Sequence, residues 1–278
     1  MQEWDFVTGD RGLRLRVCGW GQAQAGRLPV VLLHGYLEQG AAWDAVAQQL
    51  PGQVLAPDHR GHGRSAWVGA GGAYHFYDYV ADLDALVRNL GGIVDLVGHS
   101  MGGTIAALFA GARPDAVRRL VLIEGLGPPD SSALATEHLR GFLDGVAAPA
   151  SHTPFADVAA AAARLRLWNA SLTEATALGL AQRGTTPTDD GRVVWSWDPL
   201  HRVRSAKPFA WEQLQQLLSR ITAPTLVVDG ERGQYHREDM ANRYLALPNA
   251  RRVLLPGGHL LHHDAPQALA ACLTEHLS

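Results

Sequence analysis

The 278-residue sequence predicts a doubly wound, mostly parallel α/β sheet with a mainly helical cap insertion. Two observations predict it. Short apolar runs alternate with helical stripes through residue 125. The alternation then stops over 126–221 and resumes at TLVVDG, residues 225–230. The chain therefore divides into a core of residues 1–125 and 222–278 and a cap insertion of residues 126–221, placed over the carboxyl ends of the strands.

Each element follows from a local pattern. GLRLRVC (12–18) alternates as an exposed strand does. PVVLL (29–33) is a continuous apolar run, the pattern of a strand buried on both faces. Trp43, Val46, Ala47 and Leu50 share one face of a helix over 42–50. A short strand at 53–56 leads into the loop PDHRGHGRS (57–65). Val80, Leu83, Val87 and Leu90 make a helical stripe over 79–90, which Gly91-Gly92 ends. IVDLV (93–97) is a strand, 104–112 a helix and RLVLI (119–123) a strand. Within 126–221 no buried strand is read; 156–168 and 211–218 are helical, GTTPTDD (184–190) is a turn and VVWSW (193–197) a short aromatic stretch. The last strand is 252–255 and the last helix 266–277, with Leu269, Cys272, Leu273 and Leu277 inward.

Composition narrows the function classes. Lys+Arg 24 against Asp+Glu 27 leaves a net charge of -3, which argues against a nucleic-acid partner. Cys18 and Cys272 form no disulfide framework, which points to a reducing, cytoplasmic compartment. No secretion signal or membrane span is read, so no membrane partner is expected.

The chemistry starts at Gly98-His99-Ser100-Met101-Gly102, a G-x-S-x-G sequence between a strand and a helix. A serine on such a sharp turn is strained, and small residues two before and two after let strand and helix approach. Ser100 is the candidate nucleophile. Among 13 histidines, His259 stands apart because it lies in the loop between the last strand and the last helix, where it can serve as base. His262 and His263 read as solvated or satisfied side chains, and a metal site of His259, His262 and His263 matches no zinc spacing. No metal or cofactor is expected.

The acid has two candidate positions. The loop after TLVVDG holds Asp229 and Glu231, with Asp239 further on, but Gly233 stands where an aspartate would be expected. Glu124 ends the preceding strand, RLVLI, and is favoured; the triad logic admits either carboxylate. The N–H groups of Met101 and Tyr36 are the candidate oxyanion donors, with His34 holding the loop by a hydrogen bond. Asp58, Arg60 and Arg64 read as the internal ties of a turn. Trp168, Trp195, Trp197 and Trp211 lie in the insertion; as a group, and Trp168 and Trp197 in particular, they suggest a pocket for an apolar or aromatic small molecule.

Taken together, HGY, PDHRGHGRS, GHSMGG and GGHLLHHDAP resemble the α/β-hydrolase superfamily over nearly the whole chain. HGYLEQGAAWD, YHFYDYVADLDAL, VLIEGLGPP and WDPLHR look like its serine hydrolase-like and mesoderm-specific-transcript-like branch. The resemblance implies a serine hydrolase of a carboxylic ester, lactone, thioester or amide. Members with the acid after the sixth strand support Glu124. Dehalogenases and epoxide hydrolases of the superfamily carry an aspartate where Ser100 stands. Two other readings stay open: a cofactor-free dioxygenase of the same fold acting on a hydroxy-heteroaromatic substrate, and a non-catalytic ligand receptor that retains the triad.

Overall fold

The structure is a computed structural model that describes all residues except 70, 149 and 234–238, and all side chains of the others except those of 10 and 239. Its strands are β1 (Gln2–Val7), β2 (Arg14–Trp20), β3 (Val30–Leu33), β4 (Val54–Pro57), β5 (Val94–His99), β6 (Val117–Ile123), β7 (Thr185–Pro187), β8 (Val193–Trp195), β9 (Thr225–Gly230) and β10 (Ala250–Leu255). Eight of them form one sheet in the order β1-β2-β4-β3-β5-β6-β9-β10. The ladder from β4 to β10 is parallel, and β2 alone runs antiparallel to both its neighbours. β3, β5 and β9 are buried along their whole length, as strands covered on both faces must be.

Helices cover both faces. Phe76–Asn89 and Met101–Ala112 pack Leu83, Val87, Ile105 and Phe109 onto one. On the other, Val46 and Leu269 from Asp44–Ala47 and Pro266–Leu277 meet Leu32, Val97 and Val228. A third, smaller cluster lies in the segment between β6 and β9: Ala161 and Ala162 of Val158–Trp168, Ala177 and Ala181 of Glu174–Gly184, and Val193, Trp195 and Trp197. No helix among the described residues is long and apolar enough to cross a membrane.

Several elements differ from the sequence expectation. β2 is not an exposed strand, because β1 covers its edge and Val17, Cys18 and Trp20 are buried. The helix expected over 42–50 is broken into a 3₁₀ turn, Gly40–Trp43, and four α-helical residues, though Trp43, Val46, Ala47 and Leu50 all point inward. The segment 126–221 does hold a strand pair, β7 with β8, and Val193 and Trp195 of β8 are buried. It also holds the helix Ala135–Ala147, in which no residue is buried. Trp211–Leu218 belongs with the first face: Leu214 and Leu218 join the cluster around Ile105 and Phe109.

A buried group of imidazoles underlies the loops at the sheet's carboxyl edge. His34 and His59 have ring centroids 4.3 Å apart, and His62 and His201 4.0 Å. Burial pushes all four below the ordinary histidine range, His59 to about 3 and His201 to about 4. A histidine whose folded pKa is depressed contributes stability above its unfolded pKa, near 6.5, and loses it as the pH falls toward the folded value. Asp58 has the opposite sign: burial raises it to about 6, so its contribution is full below its unfolded pKa and lost as the pH rises through 6. At about 1.4 kcal/mol per pKa unit the histidines outweigh it. Urea midpoints should therefore fall, by a few kcal/mol of stability, between pH 6.5 and 4. A midpoint that stays level or rises over that window would refute the sign.

Candidate active site

Four parallel strands deliver the site at their carboxyl ends. Ser100 follows β5, Glu124 follows β6, Gly230 ends β9, and His259 lies in the loop after β10. The ladder continues past the strands: the Ser100 N–H donates to Ile123 O at 2.9 Å and the Glu124 N–H to Val228 O at 2.9 Å. Among the described residues, the non-glycine positions with positive φ are Leu37 (61°), Ser100 (52°) and Glu124 (48°), and all three are at this site. Such backbone costs about 1–3 kcal/mol per residue and persists only where the surroundings impose it. The imposition is steric. A Cβ on Gly98 would lie 2.3 Å from Gly102 O, and one on Gly102 would lie 2.4 Å from Leu33 O. Bare glycines thus let the helix Met101–Ala112 press against β5 and the end of β3.

The side chains of the three residues form a chain. Ser100 Oγ–H donates to His259 Nε2 at 3.0 Å, and His259 Nδ1–H donates to Glu124 Oε2 at 3.2 Å. Glu124 is fully buried. Its second oxygen accepts the Gly230 N–H at 2.7 Å, so the carboxylate does not stand isolated in an apolar place. In the sheet order β6 lies one strand further from β10 than β9 does. A carboxylate after β6 must cross that strand's width, about 4.8 Å, to reach His259. The longer glutamate makes the crossing. Room for it comes from Gly233: a Cβ there would lie in overlap, 1.9 Å from Glu124 Oε1.

The competing carboxylates are engaged elsewhere or face away. Asp229 accepts from Arg252 Nε at 2.6 Å and Tyr244 OH at 2.5 Å. Glu231 is exposed. The side chain of Asp239 lies outside the described residues. The Met101 N–H is the first of its helix and has no intrahelical acceptor. Tyr36 lines the same cavity as Ser100, and its hydroxyl donates to His201 O at 2.7 Å. His34 ties the loop on both sides: its Nδ1–H donates to Gly35 O at 2.8 Å, and its Nε2 accepts the His59 N–H at 2.9 Å. Asp58 accepts the N–H groups of Gly40 and Arg64, and Arg60 forms a two-point pair with Asp82 at 2.6 Å, so these residues hold turns together.

Above Ser100 lies a cavity of about 470 Å³. Trp168, Trp195 and Trp197 line it, with Leu165, Leu172 and Leu180. Trp168 is 58% exposed and stacks on Trp195 with centroids 5.8 Å apart, so it stands at the mouth. Trp211 is not in this wall; it packs under the Arg243 guanidinium. The wall also carries three polar residues: Glu38 and His99, to which the sequence assigned no role, and His263, which it read as a solvated or satisfied side chain. Glu38 Oε2 accepts the Gly35 N–H at 2.8 Å and faces His99 Nδ1 at 3.0 Å, while His99 Nε2 lies 2.8 Å from His259 O. Burial alone would raise the Glu38 carboxyl, but its contacts with His262 and His99 hold it well below the usual range. His262 is the satisfied of the two alternatives expected for it: it is buried and bonded to Glu38. No short motif could have revealed this cluster, because its members come from distant parts of the chain.

A profile of the alpha/beta hydrolase fold family matches residues 29–266. The chain is 26% identical over 274 residues to a serine hydrolase-like protein of Danio rerio, covering 93% of this chain and 83% of that one. It is 30% identical over 253 residues to an esterase of Mycobacterium tuberculosis, covering 86% and 79%. Among solved structures, the thioesterase domain from the curacin biosynthetic pathway superposes with a TM-score of 0.88 at 35% identity, covering 98% of this chain and 99% of that domain. The chain belongs to the α/β-hydrolase family and is a hydrolase of that fold.

Proposed function

We propose that the protein cleaves a carboxylic ester or thioester of an apolar acyl group through an acyl-enzyme on Ser100. The observation that carries this reading is the Ser100–His259–Glu124 chain of 3.0 and 3.2 Å contacts on the floor of an apolar cavity. Ser100 Oγ attacks the carbonyl carbon while His259 Nε2 takes its proton. Glu124 holds the other ring nitrogen protonated and stabilises the imidazolium that forms. The N–H groups of Met101 and Tyr36 receive the oxyanion, and the helix N-terminus favours its charge. Collapse of the tetrahedral intermediate expels the alkoxide or thiolate, which takes the proton from His259. Water then repeats the sequence on the acyl-enzyme and frees the acid. The cavity wall carries no Lys or Arg among the described residues, which suits a neutral acyl chain. The test is turnover of p-nitrophenyl esters and acyl thioesters of graded chain length. A burst of one product equivalent before steady state supports the acyl-enzyme where deacylation is the slower step. Absence of turnover on every ester and thioester tried would refute the reading.

The tryptophans should set chain-length preference. Trp168→Ala opens the mouth, and should change the ratio of kcat/KM between short and long acyl groups by about 10–200-fold, the worth of roughly one methylene in a fitted pocket. Trp197 is 4% exposed and meets His152 edge-on at 4.2 Å, so its replacement by alanine should also cost about 3–5 kcal/mol of stability. An equal loss for every chain length with Trp168→Ala would make Trp168 a mere surface ring.

A further inference from the structure

We propose that Glu38, His262 and His263 form a binding site for one Zn²⁺ ion on the cavity wall, and that filling it inhibits the adjoining catalytic centre. Glu38 Oε1 lies 2.9 Å from His262 Nε2 and 3.8 Å from His263 Nε2, and the three donor atoms all lie within 4.8 Å of one another. Bonds of 2.0–2.2 Å in a tetrahedron separate ligand atoms by about 3.3 Å, and the two shorter separations straddle that value. The second observation is His263 itself. Its side chain is 7% exposed and turned toward Glu38, yet it is too far for a hydrogen bond and has no other hydrogen-bond partner among the described residues. A hydrogen bond between Glu38 and His262 accounts for two members of the group; it does not account for the third.

The two imidazoles are held side by side on one fastened element. Both histidines belong to the short helix Leu261–Asp264, and Asp264 Oδ2 accepts the Gly258 N–H at 2.7 Å, which fastens that helix to the loop before it. Two imidazole nitrogens and one carboxylate suit zinc; magnesium and calcium demand oxygen shells. Glu38 and His263 both border the cavity, so a fourth position opens on it for water. His259, which the sequence grouped with these two, faces Ser100 instead.

Inhibition follows from what else Glu38 holds. Its Oε2 accepts the Gly35 N–H of the loop that carries Tyr36, and it faces His99, whose far nitrogen contacts the backbone of His259. An ion drawing the carboxylate toward the two histidines strains both ties and displaces the oxyanion loop and the base together.

The test uses the full chain, freed of metal by a chelator and titrated with Co²⁺, then Zn²⁺. One equivalent of Co²⁺ should give the visible absorption of a tetrahedral ion, and Zn²⁺ should displace it. X-ray absorption of the one-equivalent Zn²⁺ complex should show two imidazoles in the first shell. His263→Gln should weaken binding by at least about tenfold. Zn²⁺ should lower ester turnover over the concentration range in which it binds, and EDTA should restore it. No tetrahedral absorption, a shell with fewer than two imidazoles, or unchanged affinity in a folded His263→Gln protein would each overturn the proposal. The absorption measurements need neither a variant nor a substrate. They therefore separate failure of the metal site from failure of the esterase reading.

Discussion

Ser100→Ala should lower kcat for a p-nitrophenyl ester by about 10⁶, the effect of removing a triad nucleophile, and leave the melting temperature within a few degrees of the parent. The two halves have separate causes. The hydroxyl is the atom that forms the acyl bond, so no covalent route remains without it. The backbone at position 100 is fixed at φ 52° by packing that does not involve the hydroxyl, since Gly98 and Gly102 make the close contacts. Alanine adopts that backbone no less readily than serine. What survives should be the slow turnover of bound substrate facing the oxyanion donors, about 10³–10⁴ above water in well-studied triads. Near-parental activity would remove Ser100 from the mechanism. A collapsed melting temperature would show the hydroxyl to be structural.

Glu124→Gln should cost about 10⁴ in kcat with little change in KM, because an amide presents the wrong partner to His259 Nδ1 and allows the unproductive tautomer. The same defect should appear in Gly233→Ala, a residue with no chemistry of its own. Its methyl carbon would stand 1.9 Å from Glu124 Oε1, and the carboxylate must leave its place. Asp229→Asn should have a small effect on kcat, since Asp229 is bonded to Arg252 and Tyr244. Steady-state kinetics on the three purified variants decide the matter. A large loss in Asp229→Asn with a small one in Glu124→Gln would reverse the assignment of the acid.

How much could be read without coordinates depended on whether the determining contacts were local. The buried parallel strands announce themselves as unbroken apolar runs, because both faces of VVLL and TLVVDG are covered. β1 does not: QEWDFV is half charged or polar and lies at an edge, where none of its residues is buried. Ala135–Ala147 does carry an apolar stripe, Leu139, Phe142, Leu143 and Val146, but buries none of it. Ser100 could be singled out because a sharp strand-to-helix turn demands glycines at fixed offsets. Glu124 could be inferred from a gap, the missing side chain at Gly233. The overlap at 1.9 Å gives that inference its physical content: one position must be empty for the other to be filled. Glu38 carried no such sign. Its partner His262 is 224 residues away, and only the closing of the sheet's carboxyl edge brings them to 2.9 Å.

The central claim is that Ser100 is a nucleophile activated by His259 and Glu124. The most direct measurement is peptide-mapped mass spectrometry after reaction with a fluorophosphonate. The parent protein should gain one phosphonyl group, located on the peptide containing Ser100, at a rate that falls steeply in His259→Ala and Glu124→Gln. Labelling that leaves Ser100 unmodified, or that proceeds equally fast without His259, would contradict the account.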